Sequence, residues 1–162
     1  MFENTEHAAS LYNLERPGHV YSRLSNPTTA VLEERVAALE GGVGAVATAS
    51  GMAAVFSSLM SYLKSGDEVV SSRALFGSCY QIVDQILPRY GIITHLIDGT
   101  DLSQWEKHVT NKTKCVFLES PSNPTMEIID IKSVAKIAHR HNALVIVDNI
   151  LGYAQLDNSW DR

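Results

Sequence analysis

The chain has 162 residues, 45% of them hydrophobic and 19% charged, and a net charge of −5. These values fit one soluble globular domain, and without a basic cluster they argue against nucleic acid as the main partner. The apolar stretches are too short to span a bilayer. The start, Met1-Phe2-Glu3-Asn4, shows no signal peptide, so the expected setting is cytoplasmic, with no membrane.

Residues 1–20 are mixed and polar, with Pro17-Gly18 as a turn. Asn26-Pro27 supplies an N-cap and a first helical residue. The helix it opens carries Val31, Leu32, Val36 and Leu39 at helical spacing and ends at Gly41-Gly42. Val43 to Ala49 reads as a short apolar strand. Ser50 opens a second helix with Val55, Leu59 and Leu63, closed by Gly66. Glu68 to Ser71 reads as a strand, and Gly77 to Leu87 as a helix stopped by Pro88. Ile92 to Ile97 is a strand, Leu102 to Val109 a helix, Cys115 to Leu118 a strand, Ile131 to His141 a helix, and Leu144 to Val147 a strand. Strands alternating with helices, and apolar strands without polar alternation, predict an α/β fold: a mostly parallel sheet flanked by helices.

In such sheets ligands sit beyond the carboxyl ends of the strands. Ser50-Gly51, Ser120-Pro121 and Asp148-Asn149 are all expected there, on one edge. At Ser50-Gly51-Met52 a helix start offers backbone N–H groups and a positive dipole end to a phosphate, and Gly51 has no side chain in the way; an ordinary Ser-capped helix start is the plainer reading. Asp148 ends an apolar strand, where a carboxylate needs a cation, a metal or several donors; alternatively it caps the next turn. Arg23 can reach a phosphate bidentately with Tyr21 beside it, or the two are a surface Arg and a packed Tyr. Phe76 can stack on a heteroaromatic ring or belong to the core. The Asn123 amide can donate to a ligand oxygen or form a turn. Cys79 and Cys115 lie far apart, without a C-x-x-C pattern, and read as free thiols, a single disulfide being the alternative. The six histidines show no metal spacing; His139 and His141 are two residues apart, hence on different helix faces.

Tyr21-Ser22-Arg23-Leu24-Ser25-Asn26-Pro27-Thr28-Thr29, Ala49-Ser50-Gly51-Met52-Ala53-Ala54 and Val147-Asp148-Asn149, in this order, resemble the Cys/Met-metabolism enzymes that use pyridoxal 5'-phosphate (PLP). The likeness covers nearly all of residues 2–149 and is greatest to the homoserine-ester sulfhydrylases. Glu6-His7-Ala8-Ala9 with Leu14-Glu15-Arg16-Pro17-Gly18 looks like the O-acetylhomoserine type, and Leu75-Phe76-Gly77-Ser78 like the O-succinylhomoserine type. The resemblance implies part of an aspartate-aminotransferase-like large domain. By the same likeness 1–26 is an N-terminal arm, 27–149 the PLP-binding large domain, incomplete, and 150–162 a divergent tail.

What the resemblance implies for the site is specific. Tyr21 and Arg23 bind the cofactor phosphate of a neighbouring subunit in a homo-oligomer. Ser50, Gly51 and Met52 bind the phosphate of their own subunit. Phe76 stacks on the pyridine where many members have Tyr. Asn123 contacts the phenolic oxygen, and Asp148 the ring nitrogen. The implied reaction is γ-replacement: O-acyl-L-homoserine and sulfide give L-homocysteine, in methionine biosynthesis, with O-acyl homoserine and sulfide or a thiol as the small-molecule partners. A cystathionine γ-synthase or γ-lyase, or a non-catalytic PLP- or phosphate-binding remnant, is the alternative. No lysine follows Lys136. The residue that would bond the cofactor aldehyde is therefore expected to be missing, and the chain to be an incomplete and inactive fragment.

Overall fold

The computed structural model describes residues 2–152. It parts into two compact units between Ala47 and Thr48.

The first unit holds two helices. α1, Thr5–Tyr12, is capped by Asn4, whose side chain accepts the N–H of His7. The polar reading of residues 1–20 missed this helix. Its one local signal is the Asn4 cap ahead of a short run that buries a single residue, Leu11. α2, Pro27–Leu39, starts where Asn26-Pro27 predicts: the Asn26 side chain accepts the N–H of Thr28 and Pro27 occupies the first turn. Its apolar residues Val31, Leu32, Val36 and Leu39 are exposed. The strand expected over Val43 to Ala49 does not form. No strand among the described residues pairs with it, and Val43 and Val46 are exposed, so apolar character alone gives it no ladder.

Among the described residues, the second unit is a four-stranded, wholly parallel sheet in the order β2-β1-β3-β4. Its elements, in chain order, are α3 (Gly51–Met60), β1 (Glu68–Ser72), α4 (Gly77–Gln81), β2 (Ile93–Ile97), α5 (Leu102–His108), β3 (Thr113–Glu119), α6 (Ile131–Arg140) and β4 (Leu144–Asp148). The helix expected over Gly77 to Leu87 changes pitch: after α4 comes a wide π turn over Ile82–Ile86, then a tight 3-10 turn over Leu87–Tyr90. Pro88 explains the break, because it lacks an N–H and its ring crowds the carbonyl four residues back.

The central strands show why the sequence lacks polar alternation. Along β3, Cys115 and Phe117 point into one buried cluster with Leu59, Cys79 and Val83, beneath α3 and α4. Val116 and Leu118 point into a second cluster with Trp105, Val134 and Ala138, beneath α5 and α6. Both faces are therefore dry, and each residue of the strand serves one core or the other. Fully burying a side chain of this size stabilises the fold by roughly 1.5–3 kcal/mol. The sheet itself matches the expected parallel α/β architecture.

The strand order also creates a crevice. The chain leaves β1 toward β2 by way of α4, on one face. It then crosses back past β1 to β3 by way of α5, on the other face, and continues to β4 through α6. The connections after neighbouring strands β1 and β3 thus diverge, which is the topological switch point where open α/β sheets bind ligands.

Candidate active site

Three features meet at the carboxyl edge of the sheet, on the face covered by α3 and α4. The first is the start of α3. Ser50 is extended, its Oγ accepts the N–H of Ala53 at 3.1 Å, and its carbonyl accepts that of Ala54. The N–H groups of Gly51 and Met52 have no partner within the helix. A Cβ placed on Gly51 would meet nothing within 4 Å, so this approach to the backbone is open. That geometry suits an oxyanion. Because residues 43–49 form no strand, Ser50-Gly51 sits at a helix start but not at the strand end expected for it.

The second feature is Asp148, the last residue of β4. Its Oδ1 accepts the N–H of Ile150 at 3.2 Å, so it does cap the following turn. Its Oδ2 lies 3.5 Å from Sγ of Cys79, and that sulfur lies 3.9 Å from Sδ of Met52. Cys79 is buried, and burial, then the charges of Asp148 and Glu119, raise its thiol to about 12. It is therefore a neutral S–H that can donate to Asp148. Met52, Cys79 and Asp148 tie the first turn of α3, α4 and the end of β4 together. No local pattern announces this role for Cys79, because the contact spans 69 positions.

The third feature is the crevice between β1 and β3. Phe76, half exposed, stands on the β1 side as the residue before α4. Asn123 stands on the β3 side, in a loop organised by two buried hydroxyls. Ser120 Oγ accepts the N–H of Ile129, and Ser122 Oγ accepts that of Glu127. The Ser120-Pro121 and Asn123-Pro124 peptide bonds in this loop are cis. Below the crevice lies Glu119, the last residue of β3 and fully buried. Burial holds its carboxyl above the usual range against the pull of two backbone N–H donors, and the charge of Asp148 pushes the same way as burial.

Among the described residues neither Glu119 nor Asp148 takes part in an ion pair. Two neighbouring carboxylates without a cation, an open helix start and an exposed aromatic ring share one edge. An aromatic cation carrying a phosphate fits this set of groups: an oxyanion at α3, a positive ring nitrogen beside Asp148, and the ring between Phe76 and Asn123. Pyridoxal phosphate has these parts. Tyr21 and Arg23 belong to the first unit, both exposed, with the Arg23 guanidinium 5.1 Å from the centre of the Tyr21 ring. Cys79 and Cys115 are free, as their spacing predicts, and both are buried. No group of three or more His, Cys, Asp or Glu that could hold a metal occurs among the described residues.

The profile of the family described as Cys/Met metabolism PLP-dependent enzyme matches residues 1–159. The chain belongs to this family. An O-succinylhomoserine sulfhydrylase of Mycobacterium tuberculosis is 51% identical over 142 residues, 88% of this chain and 35% of the relative. An O-acetyl-L-homoserine sulfhydrylase of Leptospira meyeri is 40% identical over 158 residues, 98% of this chain and 36% of the relative. Among solved structures, one of Campylobacter jejuni, described as an O-acetylhomoserine (thiol)-lyase with N'-pyridoxyl-lysine-5'-monophosphate, superposes with a TM-score of 0.84 at 42% identity, covering 92% of this chain and 37% of that one. The chain therefore spans about a third of the length of the curated relatives it matches. The sheet is accordingly part of the large domain of an aspartate-aminotransferase-like fold, and the family's cofactor is PLP. Among the described residues, no helix is long and apolar enough to cross a membrane.

Proposed function

We propose that this chain is the cofactor-binding portion of an enzyme that exchanges the acyl group of O-acyl-L-homoserine for sulfide, giving L-homocysteine. The Cγ–O bond to the acyl group breaks, the acyl group leaves as a carboxylate, and the sulfur of sulfide bonds to Cγ. PLP, when bound, supplies the electron sink for carbanions next to the substrate nitrogen. In this reading the Gly51 and Met52 N–H groups, with Ser50, hold the phosphate. Asp148 holds a proton on the ring nitrogen, and the Cys79 thiol and Ile150 N–H fix its carboxylate. Phe76 covers the ring and, lacking a hydroxyl, moves no proton. Asn123 faces the phenolic oxygen.

The observation that carries the reading is the contact from Met52 through Cys79 to Asp148. It joins the oxyanion site to the partner of the ring nitrogen on one face of one sheet. Further parts of the same proposal are the division into arm (1–26), large domain (27–149) and tail (150–162), the use of Tyr21 and Arg23 on a neighbouring subunit of a homo-oligomer, and a cytoplasmic setting. Tail positions beyond residue 152 lie outside the described residues. No lysine stands after Lys136, so the chain by itself is proposed to be inactive.

The test is an assay of the longer protein carrying this sequence, supplied with PLP, sulfide and either O-acetyl- or O-succinyl-L-homoserine. Homocysteine with an equivalent of acetate or succinate is the expected product. An α-keto acid and ammonia without homocysteine would overturn the replacement reaction in favour of γ-elimination.

A further inference from the structure

Glu119 is the one fully buried carboxylate among the described residues, and no role in binding or chemistry has so far fallen to it. Its two oxygens are used separately. Oε2 accepts the N–H of Phe76 at 2.5 Å, and Oε1 accepts the N–H of Asn123 at 3.1 Å. Those two N–H groups belong to the two loops that diverge at the switch point, one after β1 and one after β3. Phe76 is also the N-cap residue of α4 and has no side-chain cap of its own. A carboxylate from another strand does for its N–H what the glutamate of a capping box does within one helix.

We propose that Glu119 is a positioning residue: its carboxylate sets both walls of the ring site, Phe76 and Asn123, and its charge responds to a cation placed beside Asp148. The second half rests on the cofactor reading above; the first half does not. The chemistry explains the residue type. Two diverging N–H donors need two acceptors and no donor on the same side chain, which only an ionised carboxylate supplies. An amide would turn an NH2 toward one of the N–H groups. The titratable groups facing Glu119 are Asp148 from β4 and the Cys79 thiol from α4. Burial keeps the thiol neutral at ordinary pH, so among the described residues Asp148 is the acidic neighbour that acts on Glu119. A cation that neutralises Asp148 therefore favours the ionised form of Glu119 and strengthens its hold on both loops.

The test uses the chain labelled with ¹⁵N and follows the amide resonances of Phe76 and Asn123 from about pH 4 to pH 8. A shared titration is expected, with a midpoint above that of an ordinary glutamate. Pyridoxine 5'-phosphate, which has the ring and phosphate but no aldehyde, is expected to lower that midpoint. In Glu119→Gln both titrations should vanish, and affinity for pyridoxine 5'-phosphate should fall about tenfold while affinity for inorganic phosphate stays. Separate midpoints, or no titration in the wild-type chain, overturn the inference without reliance on any variant. A shared titration in a chain that does not bind pyridoxine 5'-phosphate bears out the positioning of the loops and overturns the cofactor reading. Binding with an unmoved midpoint overturns the coupling to Asp148.

Discussion

Glu119 and Asp148 end neighbouring strands in register and project side by side from the face that α3 and α4 cover. Two residues before them, Phe117 and Ile146 pack into the cluster on that same face, which fixes the direction of both carboxylates. The pairing is costly for a sheet end: two acids side by side, one fully buried, with thiol and backbone donors but no cation among the described residues. In the proposed cofactor reading, this pair receives a positive ring nitrogen.

Thiol reactivity tests the buried setting of this edge. Cys79 and Cys115 are both raised to about 12, burial being the largest cause in each. Since thiolate is the nucleophile, neither should react measurably with a thiol reagent at pH 8 in the folded chain, and both should react fully in urea. The linkage has a definite sign. A group whose pKa is raised by folding contributes stability that is complete below the unfolded value near 9 and is lost as the pH rises toward 12. Rapid labelling of Cys79 in the native state would contradict its place between Met52 and Asp148.

The core makes a second prediction. Phe117→Ala removes a fully buried side chain from a central strand, and should cost about 3–5 kcal/mol. Against a typical domain stability of roughly 5–15 kcal/mol, the urea midpoint should fall steeply. A loss under about 1 kcal/mol in urea unfolding would mean that the two-faced packing of β3 is wrong.

Much of this architecture is legible from local signals, and its failures are informative. Asn26-Pro27 and Ser50 announce helix starts because capping chemistry lies within three residues of the helix. The apolar runs at Glu68 to Ser71 and Cys115 to Leu118 announce strands because both faces of the sheet centre are dry, and the run Leu144 to Val147 announces the partly buried edge strand by its apolar character alone. Val43 to Ala49 has the same apolar look but no neighbouring strand, and a strand is defined by its partner. Asp148 could be suspected of a role from its place at the end of an apolar run. Glu119 ends such a run too, yet its partner Phe76 lies 43 positions earlier. Nothing local records that bond, so its role became visible only with the fold.

Lysine chemistry gives a third prediction. All six lysines, Lys64, Lys107, Lys112, Lys114, Lys132 and Lys136, are exposed. Incubation of the chain with PLP, borohydride reduction and peptide mapping should therefore give scattered, substoichiometric modification. One stoichiometric pyridoxyl-lysine would contradict the account, because it would place a reactive lysine within reach of Asp148.

Self-association is the fourth. α2 exposes Val31, Leu32, Val36 and Leu39, and among the described residues the two edge strands β2 and β4 carry unpaired backbone groups. With Tyr21 and Arg23 proposed to serve a neighbouring subunit, the chain should form dimers or larger species in sedimentation velocity at high concentration. A strict monomer there would remove the support for a shared site.

The most direct measurement compares PLP and inorganic phosphate binding by the wild-type chain and Asp148→Ala. In the proposed site the phosphate is held by backbone N–H groups at Gly51 and Met52, whereas the ring nitrogen is held by the Asp148 carboxylate. Asp148→Ala should weaken PLP binding by about tenfold or more, a change of about 1.4 kcal/mol, and leave phosphate binding unchanged. Equal PLP affinity in the two proteins would contradict the assignment of this sheet edge as the cofactor site.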